Sequence, residues 1–123
     1  MKRILVATAL CAAAASAMAA DVDGAYWSQR PESCREFRRL LALQERTPAL
    51  MNIRGWVAGY VTAFNRQTPE TYDILGVTDF EGALQFIDGY CKAHPLDNLT
   101  KAMEALTEDL YPKRHHTRRQ AGH

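Results

Sequence analysis

No part of the 123-residue chain alternates apolar and polar residues for long enough to make a strand, so sheet folds are not expected. The longest apolar run, Ile4 to Ala15, is too short and too rich in alanine to span a membrane. There is no HExxH or CxxC spacing, no phosphate loop and no Ser/His/Asp pattern, so the usual constellations for metal, nucleotide and acyl-transfer chemistry are missing. Glu104 and Glu108 lie four apart, a spacing that puts both on the wet side of a helix. No enzyme activity, cofactor or metal is expected. No internal repeat is evident. Cysteine is scarce, at three residues, and only two of them matter for the mature fold.

A basic surplus is also missing where a nucleic-acid binder would need one. Residues 20–123 hold thirteen Lys or Arg against fourteen Asp or Glu. Four of those cations, Lys113, Arg114, Arg118 and Arg119, fall in the last eleven residues, which have no acid. Residues 20–112 are left with nine cations and fourteen acids, a net charge of −5. An acidic body with a basic tail argues against nucleic acid as a partner.

What is present begins with a secretory pattern. Lys2 and Arg3 form a charged start, Ile4 to Ala15 an apolar run, and Ala17-Met18-Ala19 a small-x-small cleavage site. Export to the periplasm with cleavage after Ala19 is expected, and Cys11 leaves with the leader. Cys34 and Cys91 remain. In an oxidising compartment they have one possible connectivity, a single disulfide. Closing a loop of about 58 residues would restrict the unfolded chain by roughly 4 kcal/mol on the loop-entropy account.

Residues 20–31 are polar and without period and read as a flexible N-terminal segment, although Tyr26 and Trp27 could dock. Residues 32–112 read as four helices. Ser33-Cys34-Arg35-Glu36 is a capping box that opens the first, and Thr47-Pro48 is expected to stop it. Asn52 is expected to cap the second, which runs to about Arg66 with Ile53, Trp56, Val57, Tyr60, Val61 and Phe64 as its stripe. Gly55 and Gly59, beside Ala58 and Ala63, suggest close approach of another backbone, in core packing or else at a dimer face. A long connection from Gln67 to Thr78 is expected to tuck Tyr72 and Ile74 inward. Thr78 to Glu81 is a second capping box, opening a helix with Phe80, Ala83, Leu84, Ile87, Tyr90 and Cys91 on one side. Asp97 is expected to cap the last helix, with Leu99, Ala102, Met103, Leu106 and Leu110 as its stripe and Pro112 as its end. The expected fold is all-α, a small four-helix bundle-like domain stapled by Cys34–Cys91, followed by a basic, solvated tail at 113–123.

Trp56, Tyr60 and Phe64 are the candidate protein-binding residues. Asn65, Tyr72, Asp73 and Asp79 gather about the long connection and are the candidate ligand loop, because loops on a rigid scaffold often bind. Against that, Asp79 can cap, Asp73 can turn and Tyr72 can pack. His94 sits at a helix end, where the dipole favours its charged form. His115, His116 and His123 lack other evident metal ligands. The tail cations could touch anionic lipid, which would suit an envelope structural protein.

Two blocks carry a family resemblance. Ser33-Cys34-Arg35-Glu36-Phe37 resembles the first-cysteine segment of the HdeA/HdeB periplasmic acid-stress chaperones. Ile87-Asp88-Gly89-Tyr90-Cys91-Lys92-Ala93-His94-Pro95, followed by Asn98-Leu99, resembles the HdeB-type segment around the second cysteine. The resemblance implies a small helical fold, a Cys34–Cys91 bridge, and a dimer that opens at low pH to expose apolar surface to unfolding clients. The chain also resembles Tai-type immunity proteins, which block a secreted cell-wall amidase, and so one specific partner is the alternative. Acid response has a plain basis. Below about pH 3 the carboxylates neutralise, and thirteen cations with four histidines bring residues 20–123 toward +17.

Overall fold

A computed structural model describes residues 20–29 and 31–123; the leader read over Met1 to Ala19, with Cys11, lies outside them. Four α-helices and no strand make up the described residues: α1 (Cys34–Ala42), α2 (Pro48–Gln67), α3 (Phe80–Ala93) and α4 (Leu99–Leu110), the last running into a 3-10 turn at Tyr111–Lys113. α3 packs on both α4 and α1, and α1 packs on α2.

Each helix starts on a side chain that satisfies a backbone N–H left open by the helix geometry. Ser33 accepts from Glu36 N, Thr47 from Leu50 N, Asp79 from Gly82 N and Asn98 from Lys101 N. Three of these differ from the sequence expectation. Thr47-Pro48 does not end α1, which has already stopped at Ala42 with Gln44 turned into the left-handed region at φ 54°. Instead, Thr47 caps α2 and Pro48 is its first residue, where a missing N–H costs nothing and the fixed φ is already helical. Asn52 therefore lies inside α2. Asp79, rather than Thr78, caps α3. Asn98, rather than Asp97, caps α4, because the Asp97 carboxylate accepts the Tyr90 hydroxyl at 2.6 Å.

The core takes Phe37 and Leu40 from α1, Leu50, Ile53, Val57 and Val61 from α2, Ala83, Leu84 and Ile87 from α3, and Leu99, Ala102, Met103, Leu106 and Leu110 from α4. Burying a large apolar side chain of this kind stabilises the fold by about 1.5–3 kcal/mol. Cys34 and Cys91 are wholly buried among them, and their disulfide joins the first turn of α1 to the last turn of α3, with Cα atoms 4.9 Å apart. Beside it the chain is zipped a second time. Cys34 N donates to Asp97 O at 2.9 Å and Leu99 N to Glu32 O at 2.9 Å, so the entrances to α1 and α4 are paired.

Gly55 and Gly59 face outward. A Cβ at either would meet nothing within 4 Å, so no backbone of the described residues comes close, contrary to the core-packing expectation. The close approach falls instead at Gly76 in the long connection, where φ is +60° and a Cβ would lie 2.5 Å from Lys113 O. The connection does tuck in Ile74 and Leu75, while Tyr72 stays exposed.

Both ends of the domain are held. In the N-terminal segment, read as flexible, Tyr26 and Ser28 hydrogen-bond to α4. In the tail, read as solvated, residues 114–115 pair with the long connection. Tyr72 N and Asp73 N donate to His115 O at 2.8 and 3.1 Å, and His115 N returns a bond to Asp73 O at 2.9 Å. No helix of the described residues is long and apolar enough to cross a membrane.

Candidate protein-binding surface

α2 buries one side of its apolar stripe and leaves the other at the surface. Ile53, Val57 and Val61 go into the core, while Trp56, Tyr60 and Phe64 pack against it half-buried. The helical period explains the split, since the second set sits about 60° round from the first. The Trp56 and Tyr60 rings lie 5.7 Å apart, tilted at 44°.

Residues 26–29 form a strap across this stripe, bridging α2 to α4. Trp56 Nε1 donates to Gln29 O at 3.1 Å. Ser28 Oγ and Thr100 Oγ1 share a hydrogen bond of 2.7 Å. The Tyr26 hydroxyl donates to Glu104 Oε1 at 2.6 Å, and Lys101 Nζ donates to Glu104 Oε2 at 2.9 Å. The Tyr26 hydroxyl and then Lys101 hold the Glu104 carboxyl below the usual glutamate range. Burial raises Tyr60, and burial with the Glu104 bond raises Tyr26. Trp27, by contrast, points into solvent.

On one side of the strap a groove of about 430 Å³ opens to solvent, walled by Tyr26, Tyr60, Phe64 and Tyr111 with Glu104 and Glu108. Glu104, Thr107, Glu108 and Tyr111 recur at i, i+3, i+4 and i+7 and form one face of α4 and its 3-10 extension. The sequence reading noticed the carboxylate pair but missed the face. Its signal was that spacing, hidden because the aromatic partners come from α2 and the strap.

The candidate ligand loop comes together only in part. Asn65 Oδ1 accepts from Ile74 N at 2.7 Å, Asp73 Oδ1 from Leu75 N at 3.1 Å, and Asn65 Nδ2 reaches Asp73 Oδ1 at 3.4 Å. Tyr72 sits with its ring 6.3 Å from that of His123. Asp79 stands apart at the start of α3, spent on Gly82 N at 2.7 Å. Asn65 and Asp73 thus brace the chain's own backbone, and the tail lies across them. Arg114 Nε donates to Thr71 Oγ1 at 2.9 Å, and its guanidinium carbon lies 3.8 Å from the Tyr111 ring centroid. Lys113 pairs with Asp109 at 3.1 Å. His115 Nδ1 is buried without a hydrogen-bond partner among the described residues.

His94 is exposed and stacks on Tyr90 with centroids 4.4 Å apart. Tyr90, through its bond to Asp97, is pushed up to about 12. No group of three or more His, Cys, Asp or Glu side chains gathers for a metal among the described residues.

The fold and surface define a disulfide-tied, all-α domain with an aromatic face. No protein-family model, curated protein or solved structure matches the chain.

Proposed function

We propose that the chain is an exported, non-catalytic protein-binding domain, and specifically an acid-stress chaperone of the HdeA/HdeB kind. The observation that carries this reading is the strap over Trp56 and Tyr60, whose Tyr26 hydroxyl is held by an ionised carboxylate. A charge-assisted bond of this type is about twice as strong as its neutral counterpart. Protonating Glu104 removes that advantage and its pairing with Lys101 together, while rising positive charge favours loosening. The strap then leaves the aromatic stripe to an unfolding client.

The test is client aggregation at about pH 2–3, where carboxylates are protonated, with and without residues 20–123. Suppression is expected at excess protein, and its absence ends the chaperone reading. A Trp56→Ala/Phe64→Ala variant should suppress less than the parent at equal concentration.

A specific inhibitor or immunity protein is the second reading. What favours it is the groove beside the strap, which is open in the folded molecule without any acid loosening. It predicts one stoichiometric partner retained at neutral pH from a periplasmic extract, where the chaperone reading predicts none.

A further inference from the structure

We propose that the groove between α2 and α4 receives a lysine or arginine side chain from a partner polypeptide. The inference rests on the protein-binding reading, though not on acid loosening, because the groove is complete in the folded state. Four aromatic residues, Tyr26, Tyr60, Phe64 and Tyr111, line it. The face of an aromatic ring is electron-rich and attracts a cation within about 6 Å of its centroid. Two carboxylates share the same groove. Glu104 is committed, one oxygen to Tyr26 and the other to Lys101. Glu108 has no hydrogen bond or ion pair among the described residues, so its charge is available at the groove. An anionic ligand would meet that charge unpaired. A purely apolar ligand would cover Glu108 without pairing it, which costs desolvation for no return. A cation with an apolar stem satisfies both parts of the wall, and lysine and arginine are built that way.

The chain itself shows the chemistry, since Arg114 lies over the ring of Tyr111 at 3.8 Å from the centroid. The groove's volume falls within the roughly 300–1,000 Å³ of ligand sites, but those bury most of a small ligand. This one is open to solvent. An open groove suits a side chain delivered on a polypeptide, which draws further contacts from the surface around it.

The experiment is a heteronuclear NMR titration of residues 20–123 at pH 7. The probe is the peptide Ac-Gly-Arg-Gly-Lys-Gly-NH2, and the controls are Ac-Gly-Gln-Gly-Gln-Gly-NH2 and choline chloride. The Arg/Lys peptide should give saturable shifts at Tyr60, Phe64, Glu104 and Glu108, with affinity in about the millimolar range that a few such contacts supply. Glu108→Gln, a surface change that leaves the fold alone, should weaken binding roughly three- to tenfold, as should Phe64→Leu. Equal shifts from the glutamine peptide, no saturation by the Arg/Lys peptide, or unchanged affinity in Glu108→Gln overturns the proposal. Choline binding as tightly as the peptide overturns the polypeptide occupant. The chaperone assay is read in acid and this titration at neutral pH, so either can fail without the other.

Discussion

Gly76 and the pair Gly55/Gly59 are the same residue type under opposite constraints. At Gly76 the backbone is left-handed and Lys113 O lies where a Cβ would go. Gly76→Ala should cost about 2 kcal/mol or more, since an L-residue in that region already loses roughly 1–2 kcal/mol before any clash. The same change should release residues 113–115 from the connection, and faster amide exchange at His115 would show it. At Gly55 and Gly59 the φ is helical and the space is open. Alanine at either should stabilise the protein by about 0.5–1 kcal/mol in urea denaturation. A loss at both would restore the close-approach reading of the sequence. The spacing of the two glycines was visible in the chain, but which way they faced was not. That depended on Ile53, Val57 and Val61 claiming the inner side of α2.

Helix boundaries divide by how much of their information is local. α3 and α4 could be read to within a residue at their starts, where the caps proved to be Asp79 and Asn98 rather than Thr78 and Asp97. Their ends could be read closely, because Ala93-His94-Pro95 and Pro112 each act within one turn. Thr47-Pro48 carries two meanings, since a proline both closes a preceding helix and opens a following one. The choice fell to the opening because α1 had already ended at Ala42, before the left-handed Gln44. The assignment is testable by caps. Thr47→Ala should cost about 1 kcal/mol, whereas Asn52→Ala, inside α2 and exposed, should be neutral or slightly stabilising. The reverse ranking in chemical denaturation would move the start of α2 to residue 52. The strap lay beyond local reading altogether. Its bonds join residues 78 apart for Tyr26 and Glu104 and 72 apart for Ser28 and Thr100.

For the whole molecule, the disulfide and the carboxylates govern stability. Reducing Cys34–Cys91 should lower stability by roughly 4 kcal/mol on the loop-entropy account, a large part of the 5–15 kcal/mol of a domain this size. Denaturation with and without reductant measures it, and an unchanged midpoint would remove the staple from the account. On the acid side, Glu104, Glu36 and Glu81 are all lowered, by the Tyr26 hydroxyl with Lys101, by Arg39 and by Arg54 respectively. A carboxyl lowered in the folded state contributes stability that is whole above its unfolded value, about 4.3, and is lost as pH falls through the folded one. Stability should therefore hold to about pH 4.3 and fall below it, with a shallower fall in Glu104→Gln. On the alkaline side Tyr90, raised to about 12, withholds its proton in the fold. Stability should fall from about pH 10 upward, with late phenolate absorbance in the ultraviolet.

By itself the sequence determined the helical class, the four apolar stripes and the pairing of Cys34 with Cys91. Each follows from spacing within a few turns or from there being one partner available. Only the tertiary structure decided that the N-terminal segment is a strap, that the tail braces the connection over Asn65 and Asp73, and that Glu104 and Glu108 share a groove with aromatic rings from α2. Those features depend on polar groups meeting across long separations. Such meetings are set by how the stripes pack against one another, and no period along the chain records them.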